Sequence, residues 1–318
     1  MTAAKMAEAD FIKLFEEVGP DELAKRQETP VRQVYARRAN LEKKIGRQIT
    51  GPNRNPTATR HNISHPHRVE FDVPNGIVLV GSDLHAWPGE QSTAFRAFLK
   101  FTKELKPRAV IMNGDVIDGA TISRHPPIGW EKLPTLVEEI ETAQALLHLI
   151  ELAAPKDARL LWPLGNHDAR FSTRIATVLP ELARINGVRL QDHFGERWEP
   201  CWSAWLNSDV VIKHRARGGI HATHNNVVNA GKTMITGHLH SLKVTPFSDY
   251  NERPRFGVDT GCLADTSAPA FLYLEDNPTN WRSGFAVLTF RGGRLMWPEL
   301  VHVLEPGKVE FRSEIVTV

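Results

Sequence analysis

Short apolar runs that end in polar clusters recur along most of the chain. From residue 76 onward, five such runs have the length of a buried strand: residues 77–80, 109–112, 160–164, 210–212 and 234–236. Between the first three runs, apolar residues at helical spacing predict one helix within residues 95–105 and another within residues 136–150. Strands that alternate with helices predict an α/β sheet.

The last part of the chain has the pattern of further strands. Residues 255–262 alternate apolar with polar side chains and predict another core strand. Residues 285–297 predict a hairpin, because Gly292 and Gly293 separate two apolar segments. Residues 301–304 and 309–316 predict edge strands. No chemistry is predicted after residue 265.

The first 50 residues predict a small helical module. Apolar residues repeat at helical spacing from Phe11 to Val18, and Gly19-Pro20 ends this segment. A short second segment and a longer basic one, over residues 30–46, follow. This order resembles a helix-turn-helix, whose second motif helix would enter the major groove of DNA. The alternative is a helical module for dimerisation or for packing on the rest of the chain.

Residues 51–72 lack periodicity and predict a linker, since the segment is rich in Pro, Asn, Thr and His. The predicted organisation is therefore a helical module over residues 1–50, a linker over 51–72 and an α/β domain over 73–318. The oligomeric state has no signal in the sequence.

Charge is distributed unevenly between these parts. The chain of 318 residues has 39 Lys and Arg against 37 Asp and Glu. Residues 1–68 hold 13 basic and 8 acidic side chains, and within residues 25–68 the numbers are 11 and 2. Such an excess favours an anionic partner, and we expect DNA to bind through residues 20–50.

Several classes of protein are disfavoured by composition. No apolar run approaches the roughly 18 residues of a membrane-spanning helix. The first residues lack the apolar stretch of a secretory signal. The two cysteines, Cys201 and Cys262, make no disulfide framework. We therefore expect a cytoplasmic protein that does not bind membranes.

Polar side chains suited to metal binding follow the five predicted strands. Ligands of α/β sheets bind at the carboxyl ends of strands, so these side chains should converge at one edge. The residues are Asp83, His85, Asp115, Asp118, Asn166, His167, His214, His238 and His240. Carboxylate, imidazole and amide groups without a thiolate suit Mn, Fe, Zn or Ni. Two such cations can stabilise both the attacking and the leaving oxygen of a phosphoryl displacement.

These motifs, in this order, resemble the calcineurin-like metallophosphoesterases over about residues 76–265. The resemblance rests on Asp83-x-His85, Gly114-Asp115-x-x-Asp118, Gly165-Asn166-His167-Asp168, His214 and Gly237-His238-x-His240. It implies a four-layer α/β/β/α sandwich with two mixed sheets, preceded here by the helical module. Composite chains of this kind resemble phage-encoded phosphoesterases.

The resemblance also implies a role for each residue. Asp83, His85 and His240 would bind the first metal; Asn166, His214 and His238 the second; and Asp115 would bridge them. His167 would be the general acid, oriented by Asp118, while a hydroxide held by the metals, most simply Mn²⁺, attacks phosphorus. We favour His214 over the nearby His221 and His224 because it ends a strand. Asp168 would brace a loop or a metal ligand.

The substrate is expected to be a phosphate ester, with a nucleic acid favoured. The Ser/Thr phosphatases of the superfamily carry an arginine and a glutamate where this chain has Gly119-Ala120 and Asp168, which favours a phosphodiesterase or nuclease. Candidate phosphate-binding residues are Arg124, His125, Arg170 and Arg215. The alternatives are a phosphomonoesterase acting on small molecules or phosphoproteins, and a DNA-binding regulator that uses the core as a ligand sensor.

Overall fold

The structure is a computed structural model that describes residues 6–47, 49, 51, 67–125, 129, 132–182, 185–250 and 253–318. The chain divides into two compact units, residues 1–64 and 65–318. Each unit is described by itself. Among the described residues, no helix is both long and apolar enough to cross a membrane.

The first unit consists of two packed helices, α1 (Glu8–Arg26) and α2 (Val31–Ile45). Helix α1 is interrupted where the sequence predicts a break, because Gly19 has a φ of 79° and a ψ of 174°. The two helices share a small apolar core, which includes Phe11, Phe15, Leu23, Val34 and Leu41. Helix α2 ends at Gly46, which takes the left-handed conformation that glycine adopts without steric cost.

The second unit contains helices and strands in alternation. The described helices are α3 (Thr93–Leu105), α4 (Leu136–Ala153), α5 (Asp168–Val178) and α6 (Ala222–Ala230), with 3₁₀ helices at Ala120–Ile122, Pro180–Leu182, Leu190–His193 and Pro269–Leu274. The strands are β1 (Arg68–Phe71), β2 (Gly76–Gly81), β3 (Ala109–Met112), β4 (Arg159–Pro163), β5 (Trp198–Cys201), β6 (Ser203–Leu206), β7 (Val210–Ile212), β8 (Thr233–Thr236), β9 (Lys243–Phe247), β10 (Arg255–Asp259), β11 (Gly284–Arg291), β12 (Arg294–Leu295), β13 (Glu299–Glu305), β14 (Lys308–Phe311) and β15 (Glu314–Thr317).

The strands form two mixed sheets. The larger has the order β15-β14-β13-β11-β2-β3-β4-β5, with β12 paired to β11; the smaller has the order β1-β6-β7-β8-β10-β9. Strands β2 to β5 are parallel, and β11 runs antiparallel to β2. The five predicted strands are confirmed as β2, β3, β4, β7 and β8, and the hairpin as β11 and β12.

Successive side chains of the central strands point to opposite faces of the larger sheet, and each face contributes to a separate hydrophobic core. Val78 and Val80 of β2 face the core shared by the two sheets, whereas Leu79 faces the core beneath α3 and α4. On the far side, α6 covers the smaller sheet so closely that a Cβ on Gly257 of β10 would lie 1.9 Å from the Thr223 carbonyl oxygen. The layers are therefore α/β/β/α, as predicted.

The segment predicted as a linker contains a strand at its carboxyl end. Residues 68–71 form β1, which pairs in parallel with β6. Val69 and Phe71 pack against the core between the sheets. The local sequence pattern does not predict this strand, because its pairing partner β6 is more than 130 residues further along the chain. Residues 52–66 of the segment lie outside the described part of the chain.

Candidate metal centre

Residues at the carboxyl ends of five strands meet at one place between the two sheets. Strands β2, β3 and β4 of the larger sheet lead into Asp83 and His85, Asp115 and Asp118, and Asn166 and His167. Strands β7 and β8 of the smaller sheet lead into His214, and His238 and His240. Three groups of these side chains have ligand atoms within 4.8 Å of one another: Asp83, His85 and His240; His85, Asp118 and His167; and Asp115, His214 and His238.

The backbone at these strand ends is held in an uncommon conformation. Asp83, His85, Asp115, His238 and His240 all have positive φ angles, from 42° to 73°. Non-glycine residues adopt this region at a cost, and such residues cluster at functional sites. Hydrogen bonds between the strand ends retain it, since the Asp83 and His85 amides donate to the carbonyls of Gly114 and Asp115 at 2.9 and 3.0 Å.

Two motif glycines are required by close approach. A Cβ on Gly165 would lie 2.1 Å from Asp115 Oδ1, and a Cβ on Gly237 would lie 2.5 Å from Ser82 Oγ and 2.6 Å from Asp83 Oδ2. Any side chain at either position would displace a predicted metal-binding carboxylate. This lack of space explains why glycine precedes Asn166 and His238 in the two motifs.

The first candidate group is Asp83 with two histidines. Asp83 Oδ1 lies 3.0 Å from His240 Nε2 and 3.9 Å from His85 Nε2. His85 donates its Nδ1 proton to Asp118 Oδ1 at 2.9 Å, which leaves the Nε2 lone pair directed into the site. This carboxylate–imidazole pair is the usual way in which a metal-binding histidine is oriented.

The second candidate group has two acceptor atoms in contact. His214 donates Nδ1–H to the Asn113 carbonyl at 2.7 Å, so its Nε2 lone pair faces Asp115 Oδ2 at 3.0 Å. Two facing lone pairs need a cation or a proton between them. Burial works to lower the pKa of His214, but Asp115 and Asp83 raise it to about 10, which places a proton there in the metal-free protein.

The same imidazoles keep the carboxylates ionised. Burial would raise the pKa of Asp83, but His240 and His214 lower it to about 2. The pKa of Asp115 is lowered against its burial by His214 and His167. Burial lowers the pKa of His85. The centre therefore offers ionised carboxylates with a neutral imidazole, the protonation states that bind divalent cations.

Unpartnered buried atoms test whether these residues fit metal ions. His85 Nε2, Asn166 Oδ1 and His240 Nδ1 are buried without a hydrogen-bond partner, and the buried His214 Nε2 faces the Asp115 carboxylate. Buried polar atoms are rarely left in this state. All four belong to predicted metal ligands, and their chemistry suits Mn, Fe, Zn or Ni. The residues present therefore fit divalent cations.

His167 lies at the edge of the centre with two polar neighbours. Its Nδ1 donates to the Asp118 carbonyl at 2.8 Å and lies 3.2 Å from Asp118 Oδ1. Arg170 donates to the same carbonyl at 2.7 Å, and its Nη2 lies 3.0 Å from His167 Nε2. Burial opposes protonation, yet Asp118 and Asp115 raise the pKa of His167. Asp118 thus contacts both His167 and His85.

Asp168 braces the loops that carry the ligands. Its Oδ2 accepts hydrogen bonds from the Asp115 amide at 3.0 Å, the Gly165 amide at 2.8 Å and Trp162 Nε1 at 3.1 Å. Its Oδ1 accepts from the Val116 amide at 2.9 Å. Burial, with Asp115 nearby, raises its pKa to about 6. These contacts combine the two roles open to Asp168 in the sequence, because the loops that it braces include the backbone of the predicted ligand Asp115.

The predicted phosphate-binding residues do not all contact the centre. Arg170 contacts it through His167 and Asp118. Arg124 and His125 are exposed, and the Arg124 side chain points to His125 at 3.5 Å. Arg215 is exposed although it follows the buried His214. Within the described part of the chain, Arg124, His125 and Arg215 therefore do not contact the candidate metal ligands.

Aromatic side chains that were not predicted to act lie beside the candidate ligands. The Phe271 ring is 5.1 Å from the His85 ring, and the Trp281 ring is 4.4 Å from the His240 ring. Tyr273 completes the group at 6.4 Å from Phe271. The connection between β10 and β11 has no hydrophobic periodicity and no sequence motif. Its aromatic residues were therefore the one feature that could have indicated a functional segment.

The chain belongs to the calcineurin-like phosphoesterase family, which its residues 77–255 match. This confirms the family resemblance of the motifs. The Gene 54 protein of Mycobacterium phage D29 is 24% identical over 247 residues, which are 71% of this chain and 93% of that protein. The Gene 54 protein of Mycobacterium phage L5 is 24% identical over 248 residues, with the same shares.

Two solved structures are also similar. Vps29 from Chaetomium thermophilum has a TM-score of 0.41 and 12% identity, covering 77% of this chain and 97% of that one. A dimetal phosphatase from Danio rerio has a TM-score of 0.37 and 11% identity, covering 77% of this chain and 99% of that one.

Proposed function

We infer that this chain is a two-metal phosphodiesterase, with a nucleic acid as its favoured substrate. The observation that carries the proposal is the set of buried, unpartnered ligand atoms on His85, Asn166 and His240, together with the His214 nitrogen that faces the Asp115 carboxylate. Asp83, His85 and His240 would hold one cation, and Asn166, His214 and His238 the other, with Asp115 shared between them. Two cations there, Mn²⁺ or else Fe, Zn or Ni, would lower the pKa of a water and neutralise phosphate charge.

His167 and Arg170 define the position of the leaving oxygen. Arg170 Nη2 donates to the His167 Nε2 lone pair at 3.0 Å, so a substrate oxygen that replaces this contact would lie beside both groups once His167 is protonated. Asp118 fixes the imidazole through Nδ1, which leaves Nε2 to deliver a proton to the leaving group. The raised pKa of His167 favours the protonated form that this step needs.

The charge around the leaving oxygen favours a diester over a monoester. Among the described residues, Arg170 is the arginine whose side chain hydrogen-bonds to the candidate catalytic residues. A diester carries one negative charge, whereas a monoester carries up to two and is better held by several cations. The two metal ions would serve either ester; beyond them the described residues bring one cation to this position, Arg170, which favours the singly charged diester.

Turnover of two chromogenic substrates tests this proposal. Protein reconstituted with Mn²⁺ should hydrolyse bis-p-nitrophenyl phosphate faster than p-nitrophenyl phosphate, and EDTA should abolish the activity. Asp115→Asn and His167→Ala should each reduce kcat at least about 100-fold, because each removes a group used in the reaction. His148→Ala, an exposed histidine on α4, is the matched control and should retain activity. Full activity in Asp115→Asn and His167→Ala would overturn the mechanism, and a faster monoester reaction would assign a phosphomonoesterase.

A further inference from the structure

The connection between β10 and β11 places three aromatic rings beside the candidate metal centre. We name Phe271, Tyr273 and Trp281 the aromatic wall. The Phe271 ring lies 5.1 Å from His85 and 5.8 Å from His240, and the Trp281 ring lies 4.4 Å from His240. The same histidines that are predicted to bind metal therefore fix the wall's position.

The wall is buried at one end and open at the other. Phe271 is 3% exposed, Trp281 is half-buried and Tyr273 is 51% exposed. The Tyr273 ring lies 6.4 Å from Phe271 and 6.5 Å from Trp281, in edge-to-face packing. Packing against the other rings holds the tyrosine in place while leaving it open to solvent.

The wall is also connected to the catalytic residues through His85. The His85 ring lies 5.1 Å from the Phe271 ring and 4.7 Å from the ring of His167. A substrate held between His167 and Arg170 therefore has an aromatic surface within reach on the side of Tyr273. An aliphatic phosphate ester would leave this surface in water, whereas a planar base would cover it.

We propose that the aromatic wall binds the base of a nucleotide whose phosphate is held at the metal centre. Bases of any sequence stack on aromatic side chains, so the wall would select nucleotides without selecting among bases. Tyr273 supplies the exposed surface, and Phe271 and Trp281 hold it in place. This inference rests on the proposed function and narrows its substrate class to nucleoside phosphates and nucleic acids.

Equilibrium binding tests the proposal without requiring turnover. Full-length protein loaded with Mn²⁺ is titrated in a calorimeter with thymidine 5′-monophosphate and with 2-deoxyribose 5-phosphate, which lacks the base. The wild type should bind the nucleotide at least about tenfold more tightly, in keeping with the strength of base–aromatic stacking. Tyr273→Ala should remove this preference, and Tyr273→Phe should retain it because the ring remains.

Leu272→Ala is the matched control, since Leu272 is 49% exposed on the same 3₁₀ helix. Successive side chains on such a helix point about 120° apart, so this variant should keep the preference. Equal affinities of the two ligands for the wild type, or equal losses in Leu272→Ala and Tyr273→Ala, would overturn the inference. If the nucleotide preference holds while neither nitrophenyl ester is hydrolysed, the proposed reaction fails and the base site stands.

Discussion

At the scale of single residues, the carboxylates of the candidate metal centre have different roles. Asp83 and Asp115 face the candidate cation positions, whereas Asp168 faces inward and accepts four hydrogen bonds. Three of these come from backbone amides, including that of Asp115 itself. Asp168 therefore sets the position of a predicted bridging ligand without facing the substrate.

Asp168→Asn should destabilise the fold. The amide NH₂ would face an N–H donor in place of a carboxylate oxygen, and leaving buried donors unsatisfied costs about 1–3 kcal/mol. Urea unfolding at pH 7.5 should show a loss of on the order of 2 kcal/mol. Asp157→Asn, at an exposed residue paired with Arg108, should leave stability unchanged. Equal stability of Asp168→Asn and wild type would contradict the bracing role.

The sequence predicts the residues at strand ends and misses those in irregular connections. Asp83 and His214 directly follow buried runs, so the strand itself indicates where they lie. Asp168 also follows a strand, but its role depends on donors from two segments, the loop after β3 and the end of β4. Tyr273 and Trp281 lie in a connection without periodicity, and an isolated aromatic residue is most simply read as core. The contact of Trp281 with His240, and of Tyr273 with Trp281, is a product of tertiary structure.

At the scale of elements, helix α4 positions the loop that contains Asp118. Glu139 on its buried face accepts hydrogen bonds from the amides of Gly119 and Ala120. Burial, together with the nearby Asp118 carboxylate, raises the pKa of Glu139 to about 7. The helix and the loop are thus joined by a group that ionises close to neutral pH.

Glu139→Gln should change how stability depends on pH. The wild-type side chain binds its proton more tightly when folded, so its stabilising contribution is complete below pH 4.5 and is lost as pH rises to about 7. The stability of the wild type minus that of the variant should fall by on the order of 2 kcal/mol between pH 4.5 and 8. Urea unfolding at both pH values measures this difference.

The control for this prediction is Glu141→Gln, which removes the same charge from the exposed face of α4. Its stability difference from the wild type should be equal at the two pH values. If the stability difference between the wild type and Glu139→Gln is also the same at both pH values, ionisation of Glu139 does not destabilise the fold and the prediction is wrong.

Central strands are predictable from sequence, whereas the edge strands β1, β5 and β9 are not. Strands β2 and β3 are continuous runs of apolar residues because both of their faces are buried. Strands β5 and β9 lie at sheet edges and contain Pro200 and Pro246, which argue locally against a strand. Strand β1 is short and half-polar. Pairing with a strand far along the chain decides β1 and β5, and pairing with the following strand β10 decides β9.

At the scale of the whole molecule, fewer basic side chains of the first unit are free to contact an anion than its composition suggests. Several of its basic side chains pair within the unit: Arg26 with Glu22, Arg38 with Glu42, Lys44 with Glu8 and Arg47 with Glu16. Arg37 lies over the Phe11 ring at 4.5 Å. These contacts stabilise the helix pair, and they reduce the charge available to an anionic partner.

One face of α2 keeps the features expected of a DNA-binding helix. Arg32, Ala36, Ala39 and Lys43 are all exposed and recur at helical spacing on one side. Arg32 and Lys43 form no ion pair within the described part of the chain, and the small alanines between them allow close approach to a duplex. The proposed role of residues 20–50 is therefore to bring the phosphoesterase domain to DNA through this face.

Removal of both charges should weaken DNA binding and reduce its dependence on salt. Each lost phosphate contact lowers the slope of log affinity against log salt by about 0.9, so Arg32→Ala with Lys43→Ala should lower it by about 1.8. Fluorescence anisotropy with a labelled duplex, measured at several salt concentrations, gives both affinity and slope. Lys103→Ala with Arg291→Ala removes two exposed charges from the second unit and should leave the slope unchanged. If both double variants retain the wild-type slope, the first unit has no role in binding DNA, and packing or dimerisation remains as its function.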